Sequence, residues 1–575
     1  MAHLHKKIKR GRPYYYVREM ARINGKPKVT NQVYLGTAER IMEMALAEKE
    51  QGRLRKIQSQ EFGSLFLANL VEEKIGAREI IDSVLPRRKG EKGPSIGEYF
   101  LFSAFNRMIQ PRSKKALADW LKPMAVHEIR PVDTQALSSE AYWRKWDRVS
   151  EEDIREIARR FFLRVHALEP DDADCFLFDT TNYFTFMDSK TPSDLAARGK
   201  NKDGKDWLRQ VGLALLVARP TGLPLFCREY EGNCHDSKLF HRILDEVFSA
   251  IREMGRSKGD LTVVFDKGIN AEANMEAFDE QKGLDFITTY STYFAQDLAE
   301  VSLEAFTPVD SPKNRELRKK GKEDDLLLAW RTSGVFWGKE RTVVVTYNPL
   351  TASKKRYRFE QKLLKVQEEL FAMRSRVVRE EPHWRNPETI QSRYEALCES
   401  LFLPKNLYEV EVYRQDGRLR MSFGKNYYQI NKYLKRFGKN IIITSHHDWE
   451  TDEIVRASLD RYKVEDAFRQ TKAGPYGNLR PIWHWTDGKI RCHILCCIIA
   501  LTYLRILELW MERAGLPLTV DRIMDRMRTL DSCLCWNSRA RKPQRLIEEP
   551  TPEQAEVLAA VGLKIDCGVL QPIGA

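Results

Sequence analysis

The sequence predicts a multidomain α/β protein, in which a mixed α/β core is interrupted by a β-rich insertion and preceded by a basic β-hairpin and a helical domain. Between residues 174 and 288, strand-like apolar runs and amphipathic helices follow the order β-β-β-α-β-α-β. Residues 61–165 carry apolar residues at helical spacing instead. Residues 1–40 hold ten Lys and Arg against two acids, with strand-like segments. A chain of 575 residues that is 42% hydrophobic can bury a large core across several domains.

The formal net charge of +14 favours a polyanionic partner, nucleic acid first, with a membrane surface or solvent as the alternatives. The first ten residues, MAHLHKKIKR, contain no apolar leader, and the longest apolar run, Ile494–Leu504, is too short to span a bilayer. Ten cysteines are an ordinary number for a reducing cytosol. We therefore expect a cytoplasmic protein without a membrane partner, and not a secreted disulfide scaffold.

Segment 1–60 is predicted to be a basic β-hairpin followed by a linker helix that begins near Thr37. Tyr14–Val17 and Val29–Leu35 have strand composition, and Asn24-Gly25 between them is a strong hairpin signal. The cations expected to contact nucleic acid here are Lys6, Lys7, Lys9, Arg10 and Arg12. The alternative is a solvated basic surface without a ligand, because charge runs alone discriminate poorly.

Segment 61–170 is predicted to be a helical domain. The apolar positions that recur at helical spacing lie in Leu65–Ile75, Ile96–Met108 and Ile154–Leu168, and Pro86, Pro94 and Pro111 separate them. Such a module suits DNA binding or dimerisation, and equally a plain scaffold.

Segment 171–294 is predicted to be the first part of the α/β core. The expected strands are Cys175–Phe178, Val211–Ala218, Leu223–Tyr230, Leu261–Phe265 and Leu284–Thr288, and the expected helices are Ser237–Met254 and Asn270–Gln281.

Segment 295–440 is predicted to be the β-rich insertion with a helical hairpin, and segment 441–540 to complete the core. The insertion has strands at Leu326–Trp337 and Thr342–Tyr347, a heptad seam of Phe359, Leu363, Val366, Leu370 and Met373, and a second helix after Asn386-Pro387. The returning core has a strand at Ile441–Ile443, one helix over Asp452–Lys472 and an apolar helix over residues 488–512. The tail, 541–575, is polar and receives no structural prediction.

Three acids are the candidates for chemistry. Asp179 and Asp266 each follow an apolar run, which predicts a position at a strand end, where ligands bind in open α/β sheets. Two neighbouring carboxylates are costly unless a cation neutralises them, and Mg²⁺ prefers carboxylate oxygens. Glu465 lies on the predicted helix in one stripe with Arg461, Arg469 and Lys472, a pattern that suits a metal ligand flanked by phosphate contacts. Each acid alone is more often a cap or turn residue, so their combination carries the prediction.

The chain resembles the DDE transposases of bacterial insertion sequences, in the IS-four superfamily with the Y-R-E-K signature and its 1634-like branch. The matching segments are Phe178–Thr181, Val264–Gly268, Arg461–Lys472, the turn Gly232–Ser237 and Arg480–Trp485. The spacing of Arg461, Glu465 and Lys472 is that of the signature, whereas Ser458 stands where the signature has Tyr and Tyr462 is out of register. The resemblance implies an RNase H-like core, with the first acid on the first strand, the second after the fourth and the third on a late helix.

The resemblance also implies the activity. Asp179, Asp266 and Glu465 would be catalytic ligands of two Mg²⁺ ions, with Mn²⁺ able to substitute. The implied reaction cleaves phosphodiester bonds at the ends of a mobile element and joins the 3′-OH ends to target DNA by in-line transesterification. The expected partners are double-stranded DNA and a second copy in a synaptic complex, in the nucleoid-associated cytoplasm of a bacterium or archaeon. The residues expected to contact DNA near the acids are Arg461, Lys472, Lys267, Tyr462, Arg469 and His484.

Two other classes stay open: a DNA-binding protein that keeps the fold without chemistry, and a metal-dependent nuclease that cuts without joining. Stacking on an unpaired base is open to Trp330, Trp337, Trp483 and Trp485, although core packing is expected for any one of them. The cluster Cys492, His493, Cys496 and Cys497 has metal-ligand residue types, but its apolar helical context favours packing.

Overall fold

The computed structural model describes residues 2–9, 12–23, 26–51, 54–169, 174–201, 204–254, 261–537 and 542–573. In chain order the elements of the first half are β1 Ala2–Lys9, β2 Arg12–Ile23, β3 Lys26–Gly36, α1 Ala38–Gln51, β4 Leu54–Glu61, α2 Gly63–Ile75, α3 Ala77–Val84, α4 Ile96–Ile109, α5 Leu117–Leu121, α6 Val126–Ile129, α7 Ser139–Trp146, α8 Glu151–Leu168, β5 Cys175–Phe184, β6 Ala197–Arg198, β7 Arg209–Ala218, β8 Pro224–Glu231, α9 Asp236–Glu253, β9 Leu261–Phe265, α10 Glu272–Glu280 and β10 Leu284–Tyr290.

The second half continues with α11 Gln296–Glu300, β11 Thr307–Pro308, α12 Pro312–Lys319, β12 Leu328–Phe336, β13 Lys339–Tyr347, α13 Pro349–Val378, α14 Pro387–Ser400, β14 Tyr408–Gln415, β15 Arg418–Lys425, α15 Tyr427–Leu434, β16 Lys439–Thr444, α16 Thr451–Asp460, α17 Tyr462–Ala473, α18 Asp487–Arg513, α19 Val520–Met527, β17 Asp531–Asn537, β18 Gln544–Ile547, α20 Pro552–Ala560, β19 Leu563–Asp566 and β20 Val569–Pro572. Short 3-10 helices lie at Lys114–Ala116, Thr134–Leu137, Leu303–Ala305, Glu323–Asp325 and Lys405–Leu407.

The chain divides into two compact units. The first, here the helical unit, comprises Met1–Lys74, Arg88–Tyr142 and Tyr503–Ala575. The second, here the core unit, comprises Ile75–Arg87 and Trp143–Thr502. The six segment boundaries drawn from the sequence remain predictions beside this division.

The N-terminal part of the helical unit is a three-stranded antiparallel sheet in the order β1-β2-β3. The predicted hairpin is confirmed, because Ile23 at the end of β2 pairs with Lys26 at the start of β3. The predicted turn residues, Asn24 and Gly25, lie outside the described residues. Strand β1 was not predicted, because its many basic residues leave only a weak alternation of apolar and polar positions. The predicted linker helix is confirmed as α1.

The helical character predicted for residues 61–165 is confirmed by α2, α4 and α8. In the helical unit, α4 is buried along its whole length and begins with a capping box, in which Ser95 and Glu98 exchange hydrogen bonds. The tail that received no prediction contributes β18 to a sheet in the order β18-β17-β4, and then forms α20 and the hairpin β19-β20.

The core unit is built on a ten-stranded mixed sheet in the order β11-β12-β13-β16-β10-β9-β5-β7-β6, with β8 pairing β7. Its centre is parallel: β9 pairs with both β10 and β5 in parallel, and the flanking pairs are antiparallel. The predicted order β-β-β-α-β-α-β is confirmed by β5, β7, β8, α9, β9, α10 and β10. The central strands are apolar on both faces, as strands covered on both sides must be.

The insertion differs from the prediction in one respect. Its first two strands, β12 and β13, do not form a separate β-layer, because β13 pairs with the returning strand β16 and so extends the central sheet. The predicted helical hairpin is confirmed as α13 and α14. Residues of the predicted seam are all buried in a cluster of their own: Phe359, Leu363, Val366, Leu370 and Met373. The hairpin β14-β15 and helix α15, which were not predicted, close that cluster.

The helix predicted over Asp452–Lys472 is in fact two helices, α16 and α17, with Arg461 between them as the N-cap of α17. The predicted apolar helix is confirmed as α18. By length and hydropathy α18 could cross a membrane, but 83% of its most apolar window is buried inside the protein, as in a core helix.

Candidate active site

Asp179 and Asp266 lie on neighbouring strands of the central sheet. Asp266 follows β9 directly, as predicted. Asp179 does not end its strand: it is the fifth residue of β5, which continues to Phe184 because the polar residues after it keep pairing with β7. The parallel register pairs Leu177 with Val264, and two residues further on it sets Asp179 level with Asp266.

Hydrogen bonds orient both carboxylates. Thr289, near the end of β10, donates from Oγ1 to Asp266 Oδ1 at 2.8 Å, and the backbone N–H of Lys267 donates to the same oxygen at 2.8 Å. The backbone N–H of Thr180 donates to Asp179 Oδ1 at 2.8 Å. One oxygen of each carboxylate is thus engaged by the protein, which orients the other toward Arg461.

Helix α17 packs over the face of β5 that carries Asp179. Residues at alternate positions of a strand share a face, so Thr181 and Tyr183 point the same way as Asp179. Tyr183 Oη lies 2.5 Å from Thr471 Oγ1, and Lys472 Nζ donates to Thr181 Oγ1. These contacts fix the C-terminal end of α17 on β5 and leave its first turn, with Glu465, beside the two aspartates.

The guanidinium of Arg461 is the meeting point of the three acids. Its Nη2 lies 2.9 Å from Glu465 Oε1, and its Nη1 lies 3.9 Å from both Asp179 Oδ2 and Asp266 Oδ2. The three carboxylates therefore converge on one positive charge, and their role as metal ligands stays a prediction. Arg461 was predicted to bind phosphate, and its central position among the acids was not predicted.

The two aspartates differ in acidity. Burial raises the pKa of Asp179 to about 6, against the opposing effects of the Thr180 N–H and Arg461. Burial also acts to raise the pKa of Asp266, but the hydrogen bond from Thr289, the charge of Arg461 and the Lys267 N–H outweigh it and lower that pKa. Asp266 therefore ionises at a lower pH than Asp179, and the negative charge of Asp179 is the one that a bound cation would stabilise more.

The donor set fits a hard divalent cation in its chemistry, because three carboxylates from different elements face one point. In the part of the chain that the structure describes, no three His, Cys, Asp or Glu side chains already lie close enough together to hold a metal ion. Arg461 fills that position between the acids. Metal binding at Asp179, Asp266 and Glu465 would thus require the guanidinium to leave the centre.

A cavity of about 380 Å³ opens beside Asp266 and Arg461. Its walls include Lys267, Thr289 and Lys355, so it is mostly polar and carries cations. The side chain of Lys267 is exposed there, as a phosphate contact requires. Thr289 and Lys355 were not predicted as site residues. Thr289 is one of several polar residues that follow an apolar run, and Lys355 lies far from the acids in the sequence.

The other predicted DNA-contact residues lie in varied surroundings. Tyr462 is 52% exposed, and Arg469 is exposed and paired with Asp466 at 2.9 Å. His484 is buried between Trp143 and Trp146, with ring centroids at 5.3 and 5.9 Å. This packing gives His484 a structural role, and its predicted contact with DNA stays a prediction.

The N-terminal cations belong to the helical unit. Lys6, Lys7 and Lys9 on β1 and Arg12 on β2 are exposed, whereas Arg10 lies outside the described residues. Their contact with nucleic acid stays a prediction.

The tryptophans and cysteines named in the sequence differ in their exposure. Trp483 and Trp485 are 58% and 55% exposed, so the expected core packing is wrong for these two. Trp483 stacks on Phe186 with ring centroids 4.7 Å apart. Cys492, Cys496, Cys497 and His493 are buried in α18, in agreement with the packing role expected for them.

No protein-family model matches the chain, and no curated protein does. Among solved structures, the chain is similar to the piggyBac transposase synaptic complex with hairpin DNA, at 9% identity and a TM-score of 0.37 over 82% of each chain. It is also similar to the Mos1 transposase paired-end complex with the left transposon end, at 14% identity and a TM-score of 0.15, over 37% of this chain and 64% of that one. Likenesses this low define neither the fold nor the function.

Proposed function

We propose that the chain is a metal-dependent DNA transposase of the DDE type, of the insertion-sequence kind that its motifs resemble. The observation that carries the proposal is the convergence of Asp179, Asp266 and Glu465 on the single guanidinium of Arg461. Like charges held close together repel one another, and three neighbouring carboxylates are stabilised by a cation that binds between them. The mixed sheet with its parallel centre is compatible with the RNase H-like core that the proposal requires.

The proposed ligands of two Mg²⁺ ions, for which Mn²⁺ could substitute, are Asp179, Asp266 and Glu465. When bound, such ions activate an attacking oxygen and stabilise the leaving oxygen of an in-line phosphoryl transfer. Thr289 and the N–H of Lys267 orient Asp266 and lower its pKa, and the N–H of Thr180 orients Asp179.

The cations around the acids are proposed to hold the DNA backbone. Lys267 faces the cavity beside Asp266, and Lys472 is positioned on β5 by Thr181. Charge-assisted hydrogen bonds from such groups orient a phosphodiester without reading its sequence. The substrates under this proposal are the duplex ends of a mobile element and a target duplex, joined by a homodimer in the cytoplasm.

The test is a cleavage and strand-transfer assay with the purified full chain, Mg²⁺ and labelled duplex DNA from beside the gene. We expect nicking at a defined position followed by joining to a second duplex, and a loss of at least about a hundredfold in Glu465→Gln. The matched control is Asp466→Asn, which changes the next acid of the same helix, whose carboxylate pairs with Arg469 instead. It should retain activity within a few-fold.

The outcomes separate the rival classes. Cutting without joining would identify a nuclease. Specific binding without cutting in Mg²⁺ or Mn²⁺ would identify a DNA-binding protein that keeps the fold, and would overturn the catalytic proposal.

A further inference from the structure

The first turns of α13 form a strongly basic surface. Residues 354–365 contain six cations and one acid: Lys354, Lys355, Arg356, Arg358, Lys362 and Lys365, with Glu360. Lys354, Arg358 and Lys365 are exposed and are spaced by four and seven residues, which places them on one face of the helix. The opposite face is buried in the insertion core through residues such as Phe359 and Leu363. The exposed cations of this segment are named here the α13 basic stripe; they are Lys354, Lys355, Arg356, Arg358 and Lys365.

The stripe lacks ion-pair partners among the residues that the structure describes. Within the described residues, Lys354, Lys355, Arg356, Arg358 and Lys365 make no ion pair with a carboxylate and no side-chain hydrogen bond. Like charges four residues apart on a helix cost about 0.2–0.5 kcal/mol per pair, so Lys354 and Arg358 do not serve the stability of α13. An uncompensated surface of this kind calls for an anionic partner.

Hydrogen bonds anchor the start of α13 to the central sheet. Helix α13 starts directly after β13, where Asn348 caps it by accepting from the N–H of Thr351 at 2.9 Å. The N–H of Asn348 also donates to the carbonyl of Gly438, just before β16, at 2.9 Å. Gly438 has φ +78°, and a Cβ there would lie 2.7 Å from the Asn348 carbonyl oxygen, so this close approach requires glycine.

The same sheet links the stripe to the catalytic candidates. Strand β16 pairs with β10, whose Thr289 holds Asp266. Lys355, in the second turn of α13, lines the cavity that also contains Asp266, Lys267 and Arg461. The cavity beside Asp266 and Arg461 thus reaches α13 at Lys355, within its basic segment.

We propose that the α13 basic stripe binds the phosphate backbone of the DNA duplex that leaves the three-acid site. The inference rests on the proposed function and adds a binding surface to it. From Lys354 to Lys365 the helix rises about 16 Å, at roughly 1.5 Å per residue, which matches the axial length of about five base pairs. Contacts of this kind fix the position of the duplex and are independent of its sequence.

The test uses the full chain with Lys354→Gln and Arg358→Gln together, and a labelled duplex of about 40 base pairs, with affinity measured by anisotropy between about 50 and 200 mM KCl. The matched control is Arg252→Gln with Lys282→Gln. Arg252 lies at the end of α9 and Lys282 just before β10, at the N-terminal ends of the parallel strands, whereas Asp266 follows the C-terminal end of β9. The control substitutions remove two positive charges, as the stripe substitutions do.

We expect the stripe variant to bind about tenfold more weakly at the lowest salt, and its plot of log affinity against log salt to be shallower by about one to two. The control should stay within about twofold of the unsubstituted chain, apart from a small uniform effect of net charge. The charge-preserving variant, Lys354→Arg with Arg358→Lys, should restore both affinity and slope, which a purely structural effect would not predict.

Two results would overturn the inference. If the unsubstituted chain binds and cuts DNA while the stripe variant matches it, or while both variant pairs weaken binding equally, the stripe is not the contact surface and the proposed function stands. If the unsubstituted chain neither binds duplex DNA at low salt nor cuts it, the proposed function fails together with the inference.

Discussion

Asp179 and Asp266 sit side by side on parallel strands, although 87 positions separate them along the chain and only one of them ends a strand. The register of β5 against β9 sets them level, and Arg461 Nη1 lies 3.9 Å from an oxygen of each. Arg461 is thus a counter-charge that both aspartates share, and Glu465 on α17 pairs with the same guanidinium.

Asp179→Asn should stabilise the protein in the absence of divalent metal at neutral and higher pH. The folded-state pKa of Asp179 is raised to about 6, above the ordinary value of 3.8, so ionisation of this group opposes folding. Its favourable contribution is fully present below about pH 4 and is lost as the pH rises through about 6. We expect the variant to gain about 1–3 kcal/mol of unfolding free energy at pH 8, and nothing at pH 4.

This gain can be measured by urea unfolding in EDTA at both pH values. Mg²⁺ should protect the unsubstituted chain against unfolding more than it protects Asp179→Asn. A variant that is less stable at pH 8 would contradict the assignment of a destabilising buried charge to Asp179.

Thr289→Val should make DNA cleavage more sensitive to acid. The hydroxyl of Thr289 is a principal cause of the lowered pKa of Asp266, and its loss raises that pKa, so Asp266 is protonated at a higher pH. The acid limb of the pH–rate profile should move to higher pH, so that the variant loses activity at a pH where the unsubstituted chain keeps it. Ser291→Ala, in the same cavity but without a hydrogen bond to Asp266, is the control. An equal loss at all pH values would refute this role of Thr289.

Arg461→Gln should tighten the binding of Mn²⁺ in the absence of DNA. The guanidinium neutralises the three acids and competes with a metal ion for the place between them. Without that competing charge we expect affinity to rise at least several-fold, since charges about 4 Å apart near a protein surface interact by a few kcal/mol. Arg461→Lys keeps the charge and should remain near the unsubstituted chain. Calorimetric titration measures the change, and weaker binding in Arg461→Gln would exclude the competition.

Arg219→Gln should destabilise the core unit by about 2–4 kcal/mol. Arg219 is mostly buried, donates to Asp460 Oδ2 at 2.8 Å and also pairs with Glu453, so its loss leaves Asp460 without this partner, whereas Glu453 keeps Arg456 at 2.8 Å. Because α16 leads into Arg461 and α17, we also expect reduced DNA cleavage. Arg469→Gln, whose exposed arginine pairs with Asp466, should cost less than about 0.5 kcal/mol. Denaturant unfolding compares the two variants, and equal costs would show that Arg219 does not anchor α16.

Much of the fold could be predicted because its signals are local. The heptad seam from Phe359 to Met373 predicted the buried face of α13, although the helix itself begins ten residues earlier, at Pro349. Strand β9 is a short apolar run bounded by polar residues and was predicted at its observed bounds. Signals that depend on pairing partners were weaker. The polar second half of β5 reads as a loop, and the pairing of β13 with β16 joins residues about 100 positions apart.

The same distinction holds within the candidate site. The identity and order of Asp179, Asp266 and Glu465 are written in the sequence, because the residue types that bind cations and the apolar runs before them are local features. The burial of His484 against Trp143 and the contact of Lys472 with Thr181 are not, because each joins segments about 300 residues apart.

By itself, the sequence determined the charge of the protein, the periodicity of its helices and strands, and the supply of acids and cations from which a site can be made. The tertiary structure decided which of these meet: it set two aspartates level, placed Arg461 among three carboxylates and brought Lys355 of α13 to the cavity beside Asp266. The physical reason is that periodicity follows from the geometry of a few consecutive residues. Electrostatic neighbourhoods depend instead on strand register and helix packing, which only the folded chain establishes.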